Sequence, residues 1–189
     1  LILGAGLSAS SMIRYLLQHS IGENWKLRIV DRDKNRILTL TENHQNAEAL
    51  DFDATSSDAR LPEIVKADLV ISMLPARFHV QVAEDCIAAK KNLITPSYIS
   101  PEMKDLNQKA IDAGIIIMNE IGVDPGIDHM SAMKIIDKIK EAGDKLISFK
   151  SFCGGLVAEE HDDNPWRYKF TWNPRNVVLA GKGGTAMFL

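Results

Sequence analysis

Up to about residue 120, the chain alternates short apolar runs with segments of helical pattern. The apolar runs lie at 1–3, 26–30, 47–52, 67–74, 91–95 and 114–119. Several of them are apolar without strict alternation, which is typical of strands covered on both faces. Between them the pattern predicts helices at 7–19, 33–41, 59–66, 77–90 and 101–113. This alternation predicts βαβ units and therefore an α/β fold with a doubly wound parallel sheet.

The composition allows a sizeable buried core and points to no charged partner. The 189 residues are 46% hydrophobic and carry a formal net charge of -3, which gives no reason to expect nucleic acid or an anionic membrane as partner. No apolar run reaches 18 residues, and no signal-peptide pattern is visible. Cys86 and Cys153 lie far apart without a CxxC pair, which argues against a zinc ribbon or a disulfide framework. We therefore expect a cytoplasmic protein.

After about residue 120 the pattern changes. Residues 124–143 predict one longer helix, and 145–156 form a strand candidate. We therefore expect a dinucleotide-binding domain over 1–122 and the beginning of a smaller α+β substrate or dimerisation domain over 123–189. Only three residues precede the first glycine, and the last stretch, "GTAMFL", is apolar with nothing after it. We expect the chain to be a piece of a longer protein, cut at both ends.

The opening stretch "LILGAGLSAS" places a glycine-rich turn between the first apolar run and the first helix. In such a turn Gly4 permits a tight bend, Gly6 lets the backbone approach a pyrophosphate, and Ala9 keeps the helix close to the strand. The helix N-terminus supplies amide donors to the phosphate. Together with an acidic residue at the end of the second run, this GxGxxA pattern predicts a Rossmann-type dinucleotide site. The candidate cofactor residues in the turn are Gly4, Gly6, Leu7, Ser8 and Ala9.

Two neighbouring residues at the end of the second run point to different dinucleotides. Asp31 can accept hydrogen bonds from an adenosine ribose, and it would repel a 2′-phosphate, which favours NAD. Arg32 could stack on adenine or pair with a 2′-phosphate, which favours NADP, or it could be a solvated surface charge. On the residues alone the choice stays open, with a preference for NAD.

Further cofactor candidates follow the third and fourth runs. Asp53, beside Ala54, is placed either to bond the adenine amino group or to cap the helix near residue 59. The stretch "SMLPARFH" follows the fourth run, where the nicotinamide half of a cofactor should pass. His79 in this stretch is either a functional base or a residue that caps or packs. The candidate cofactor residues here are Met73, Leu74 and Pro75.

Substrate candidates follow the last two runs and the long helix. Tyr98 lies in a loop after a strand rather than on the apolar stripe of a helix, so we expect it to face the ligand cleft at the carboxyl ends of the strands. Asp124 is either a residue of that cleft or the N-cap of a helix that begins at Pro125. Cys153 lies beside two glycines and is either a buried inert cysteine or a group that another group approaches closely. No HxxxH or carboxylate pair has metal-ligand spacing, so we expect no metal site.

Four blocks of the chain resemble a known family. They are "TPSYISPEM", "AGIIIMNEIGVDPGIDHMSAMKIID", "SFCGGL" and "DNPWRYKFTWNPRNVVLAG", and together they resemble the L-glutamate-forming saccharopine dehydrogenase (saccharopine reductase) family. The resemblance covers the whole chain. It implies a Rossmann domain for NADP, a second α+β domain that closes over a small amino-acid substrate, and a homodimer. The implied reaction of lysine metabolism interconverts saccharopine with glutamate plus 2-aminoadipate 6-semialdehyde, by hydride transfer through an imine.

The resemblance also implies site residues. Ser97 and Tyr98 would contact saccharopine near the reacting carbon, Asp124 would contact its amine, and Cys153 would line the site nearby. Trp172 would line the substrate pocket from the second domain. Asp31 departs from the family pattern, because members that prefer NADP often lack an acidic residue after the second strand. The residues that bind the substrate carboxylates would lie beyond Leu189.

The chemistry of these residues suits reduction of an imine. The imine must be protonated, and a carboxylate beside the iminium stabilises its charge, so Asp124 is the candidate for this role. Tyr98 could orient a water or pass a proton. The alternatives are a related carboxynorspermidine or lysine 6-dehydrogenase and, in another class, a non-catalytic NAD-sensing module.

Overall fold

The computed structural model describes residues 1–152 and 157–170. The strands are β1 (Ile2–Leu3), β2 (Leu27–Asp31), β3 (Ala47–Asp51), β4 (Leu69–Ser72), β5 (Asn92–Ile94) and β6 (Ile117–Met118). The helices are α1 (Ser10–Ser20), α2 (Lys34–Thr41), α3 (Ser57–Val65), α4 (His79–Ala89), α5 (Pro101–Asp105), α6 (Asn107–Ala113) and α7 (Ile127–Glu141). Short 3-10 helices precede α1 and α4, at Leu7–Ala9 and Ala76–Phe78, and a third lies at Glu159–His161.

The strands form one parallel sheet in the order β3-β2-β1-β4-β5-β6. All pairings are parallel, with Ile2 beside both Ile29 and Ile71 in the registers of β1. The predicted doubly wound α/β sheet is therefore confirmed. The strand order reverses between β1 and β4, which is where sheets of this kind bind their ligands, outside the carboxyl ends of the strands.

Helices cover both faces of the sheet, and each face has its own apolar cluster. One cluster packs α1 and α2 against the sheet around Ile13, Ile29 and Ile37. The other packs α3 and α4 around Ile64, Val70 and Val82. Strands buried on both faces explain why the apolar runs lack polar alternation.

Two predicted helices have different limits in the structure. The segment 101–113 begins as expected, with the Ser100 side chain accepting from the Met103 N–H at 3.2 Å and Pro101 in the first turn. It divides at Leu106 into α5 and α6. The last helix begins at Ile127 rather than Pro125, so Asp124 is not its N-cap. Gly126 precedes the helix with φ 149°, outside the range of an ordinary cap residue.

The strand expected over 145–156 is wrong for its described part. Residues 145–152 are all exposed and have no regular structure. A strand is stable only against a neighbour, and no strand of the described residues pairs with this segment.

The chain divides into two compact units, Leu1–Ser148 and the residues from Phe149 onward. Within the described part of the second unit, Tyr168 and Phe170 meet edge to face, with 5.6 Å between ring centroids. Arg167 pairs there with Asp162, and Lys169 pairs with Asp163. Cys153 and Trp172 lie outside the described residues, so their predicted roles stay predictions. Among the described helices, none has the length and apolar character needed to cross a membrane.

Candidate active site

The glycine-rich turn after β1 is shaped by one close contact and one open space. Gly4 has φ +101°, and a Cβ there would lie 3.3 Å from the carbonyl carbon and oxygen of Met73. A side chain is therefore disfavoured at Gly4 by both conformation and space. A Cβ at Gly6 would meet no protein atom within 4 Å. The space in front of Gly6 is thus open to a ligand, and it fits a phosphate that approaches the backbone at the start of Leu7–Ala9.

Asp31 bonds this turn through one carboxylate oxygen and its own loop through the other. Its Oδ2 accepts from the N–H of Ala5 at 2.9 Å, and its Oδ1 accepts from the N–H of Asp33 at 3.1 Å. Ala5 is buried, so its N–H needs an acceptor from the protein. The sequence pattern suggested a ribose ligand at this position, whereas the structure turns the carboxylate towards the glycine turn.

The loop after β3 is closed by a turn around Asp53. The Oδ1 of Asp53 accepts from the N–H and the hydroxyl of Thr55, at 3.0 and 2.7 Å. The backbone and side-chain hydrogen bonds from Thr55 lower the pKa of this carboxyl, and the charge of Arg32 adds to the effect. Helix α3 begins at Ser57 with Ser56 in the cap position, so Asp53 is not the cap of this helix.

The loop after β3 is also held by a buried arginine, Arg60, which the sequence pattern did not single out. Arg60 donates to the carbonyl oxygens of Ala54 and Thr55 at 3.2 and 2.8 Å. Its Nε lies 2.5 Å from Oδ2 of Asp85. One signal could have identified Arg60, because it lies one helical turn before the buried Ile64 and so occupies the apolar face of α3.

The loop after β4 lies directly against the glycine turn. Met73 donates its N–H to Leu3 O at 2.9 Å, and its carbonyl faces Gly4. Leu74 and Pro75 continue this loop into the Ala76–Phe78 turn. The predicted nicotinamide residues therefore lie beside the predicted pyrophosphate turn.

His79, the first residue of α4, is buried and bonded through both ring nitrogens. Its Nδ1 lies 3.0 Å from the hydroxyl of Ser72, and its Nε2 lies 2.8 Å from that of Ser97 and 3.0 Å from that of Thr95. Burial lowers the pKa of His79 to about 4. Of the two interpretations of His79, the structure supports the packed residue, because both nitrogens are occupied by protein hydroxyls.

The loops after β5 and β6 bring Tyr98 and Asp124 together. The Tyr98 hydroxyl donates to Oδ1 of Asp124 at 3.4 Å. Tyr98 is 67% exposed, and partial burial together with the negative charge of Asp124 raises the pKa of its phenol. Glu120 joins the two loops as well. Its backbone N–H donates to Ser97 O at 3.1 Å, and its side-chain Oε1 accepts from the N–H of Ile99 at 3.2 Å.

Asp128 and His129 lie beside this pair. Oδ1 of Asp128 accepts from the N–H of Gly126 at 2.9 Å and lies 2.7 Å from Nδ1 of His129. Ligand atoms of Asp124, Asp128 and His129 lie within 4.8 Å of one another. Exposed acidic groups are common without an ion, and the absence of a metal stays a prediction.

Two family models match consecutive parts of the chain. Residues 1–118 match the saccharopine dehydrogenase NADP binding domain, and residues 122–188 match the saccharopine dehydrogenase C-terminal domain. Of the two cofactors that the sequence left open, this match supports NADP.

Characterised proteins match over nearly the same length. The chain is 40% identical over 188 residues to saccharopine dehydrogenase [NADP(+), L-glutamate-forming] of Pyricularia oryzae, covering 100% of this chain and 41% of that protein. It is 42% identical over 180 residues to the mitochondrial alpha-aminoadipic semialdehyde synthase of Bos taurus, covering 95% of this chain and 19% of that protein. The structure of apo histidine-tagged saccharopine dehydrogenase (L-Glu forming) from Saccharomyces cerevisiae matches with a TM-score of 0.81 at 40% identity, over 95% of this chain and 39% of that chain. The chain thus spans at most about two fifths of these relatives.

Proposed function

The chain belongs to the saccharopine dehydrogenase family, and from this premise we propose that its full-length protein interconverts saccharopine with glutamate plus 2-aminoadipate 6-semialdehyde, using NADP. The observation that carries the proposal is the Tyr98–Asp124 pair. It joins a phenol and a carboxylate that follow β5 and β6, at the same edge of the parallel sheet as the glycine turn that follows β1. A non-catalytic sensor would need the turn but not the pair.

The cofactor half of the proposal rests on three groups of residues. The open backbone at Gly6 suits the pyrophosphate, while Asp31 holds the turn through Ala5. Arg32 is exposed, and its positive charge contributes to the lowered pKa of Asp53. Its guanidinium therefore lies near the loop after β3 and suits a 2′-phosphate on the adenosine half of the cofactor. When bound, the nicotinamide supplies the hydride chemistry, and the protein supplies position and electrostatics.

The substrate half rests on the charge of Asp124 and the proton of Tyr98. A carboxylate next to a protonated imine stabilises the positive charge that activates the carbon. The raised pKa of Tyr98 keeps its phenol protonated at neutral pH, so it acts as a donor rather than as a base. Ser97, Cys153 and Trp172 belong to the same proposal as residues that line the substrate site.

We also propose that the full-length protein is a homodimer and that it is located in the cytoplasm. Light scattering of the purified full-length protein tests the dimer, and fractionation of the source cells tests the location. A monomer, or recovery in an organelle fraction, would contradict the respective part.

Absorbance at 340 nm of the full-length protein tests the reaction. We expect reduction of NADP⁺ with saccharopine, and much slower reduction of NAD⁺. Lysine and carboxynorspermidine are the competing substrates, and reduction with either of them instead of saccharopine would favour a related dehydrogenase. Tight NADP binding without reduction on any amine would favour the sensor.

Substitutions of the pair test its role. We expect Asp124→Asn and Tyr98→Phe to lower kcat by about 10²-fold each, the scale of one electrostatic or acid-base group. Tyr15→Phe and Asp112→Asn are matched controls, since Tyr15 is an exposed tyrosine on α1 and Asp112 an exposed aspartate on α6. Full activity of both pair variants would overturn the proposed mechanism.

A further inference from the structure

The hydrogen bonds of His79 connect the two loops between which the site is built. Ser72 ends β4, where the cofactor loop Met73–Pro75 begins, and Thr95 and Ser97 follow β5. His79 bonds to all three hydroxyls. Ser72 and Thr95 are completely buried, whereas Ser97 is only partly buried. Ser97 is therefore the member of this network that reaches the surface of the site.

A buried neutral imidazole has one donor and one acceptor nitrogen, and a hydroxyl can serve either of them. With only 3% of its surface exposed, His79 has no open nitrogen with which to take a proton from a substrate. Because the two nitrogens are bonded on opposite sides, the ring cannot turn without breaking a bond to one of the loops. The ring thereby links the ends of β4 and β5, which are already neighbours in the sheet.

Besides the local bond of the Ser97 N–H to Thr95, three hydrogen bonds connect the segment Ser97–Tyr98 to other parts of the chain. The Ser97 hydroxyl is bonded to His79, the Ser97 carbonyl accepts from Glu120, and the Tyr98 phenol bonds Asp124. Two of these bonds lead to the loop after β6. The bond to His79 connects the segment to the start of the cofactor loop, because the other ring nitrogen of His79 bonds Ser72.

We propose that His79 is a positioning residue, which fixes the Ser97–Tyr98 segment relative to the cofactor loop through the hydrogen bond between its Nε2 and the Ser97 hydroxyl. The role of this segment in substrate binding rests on the proposed function, whereas the positioning itself does not. His79 therefore acts on the substrate through Ser97 and Tyr98, without touching it.

Two amide variants separate the two ring nitrogens. The amide of glutamine reaches the place of Nε2, and that of asparagine reaches the place of Nδ1. In the full-length enzyme, His79→Gln should keep kcat/KM for saccharopine within about threefold. His79→Asn should lower it about tenfold, the loss of one hydrogen bond, with KM for NADP⁺ unchanged. Equal losses in both variants, or a parallel rise of KM for NADP⁺, would overturn the proposal.

Hydrogen exchange provides a readout that needs no substrate. The amides of Ser97 and Ile99 are bonded to the side chains of Thr95 and Glu120, so their exchange reports the order of the segment. His79→Asn should speed exchange over 97–99 but leave exchange over α6 unchanged. His79→Gln should leave exchange unchanged in both regions. Faster exchange throughout the sheet would show that His79 only fills the core, and would overturn positioning.

The two proposals fail in different ways. If the wild-type enzyme does not oxidise saccharopine, the proposed function fails, while the exchange difference still decides the role of His79. Should His79→Asn not fold, Ser97→Ala removes only the hydroxyl and must by itself speed exchange at Ile99. Unchanged exchange in Ser97→Ala would refute the positioning role.

Discussion

Breaking the ion pair of Arg60 and Asp85 should strongly destabilise the loop after β3 and helix α3. Arg60 is 1% exposed, and its guanidinium serves Asp85 and the carbonyls of Ala54 and Thr55. Arg60→Met keeps a long apolar side chain but removes all three bonds. Among the residues that the structure describes, Asp85 then keeps one side-chain partner, the hydroxyl of Ser57, 2.7 Å from its Oδ1.

The magnitude follows from the burial of the pair. Removing one partner of a buried ion pair costs about 3–5 kcal/mol, because the remaining charge loses its compensation. The Asp85 side chain is 14% exposed and can be partly hydrated, so we expect the lower end, about 3 kcal/mol. Lys66→Met is the matched control, since it breaks the surface pair with Glu63, in which the lysine side chain is 60% exposed. That change should cost less than about 0.5 kcal/mol.

Urea unfolding followed by circular dichroism measures the difference. Arg60→Met should lower the midpoint without changing the slope m, because the surface exposed on unfolding stays the same. The double variant Arg60→Met with Asp85→Asn should recover part of the loss, since the uncompensated charge is gone. If Arg60→Met costs no more than Lys66→Met, the reasoning from burial is refuted.

Three further predictions concern the glycine turn and His79. Asp31→Ala should weaken NADPH binding about tenfold in a fluorescence titration, because a buried backbone N–H loses its acceptor; tighter binding would show that the carboxylate repels the 2′-phosphate instead. Gly4→Ala should destabilise the fold by about 2 kcal/mol through strain and crowding, whereas Gly6→Ala, with open space around it, should weaken NADPH binding and leave the melting temperature unchanged. His79 has a pKa of about 4 in the folded protein against about 6.5 unfolded, so its contribution is complete above pH 6.5 and is lost as the pH falls towards 4. The difference in urea stability between wild type and His79→Gln should therefore shift by about 3 kcal/mol across that range, and a constant difference would show that folding leaves the pKa of His79 unchanged.

Most of the sheet and the glycine turn could be predicted from the sequence because their signals are local. Each strand is a short apolar run, and the bend at Gly4 is marked by a glycine directly after the first of these runs. Limits of helices were less predictable. The helical pattern is continuous through Leu106, where α5 ends and α6 begins, whereas α7 starts only at Ile127 because Gly126, with φ 149°, is not helical.

The candidate site divides in the same way. The sequence suggested Asp31, Asp53 and Tyr98 because each follows an apolar run, and the carboxyl ends of parallel strands meet at one edge of the sheet. It did not indicate which partner each side chain would take. Asp31 turns to Ala5 instead of towards solvent, and Asp53 closes a turn with Thr55.

The sequence by itself determined the βαβ order, the dinucleotide turn and the family, because these follow from residue spacing along the chain. Only the tertiary structure decided that Tyr98 bonds Asp124, that Arg60 pairs with Asp85, and that His79 connects the ends of β4 and β5. These contacts join residues that follow different strands. Their partners become neighbours only when the sheet is assembled, since hydrogen bonds and burial act over a few ångströms and not along the chain.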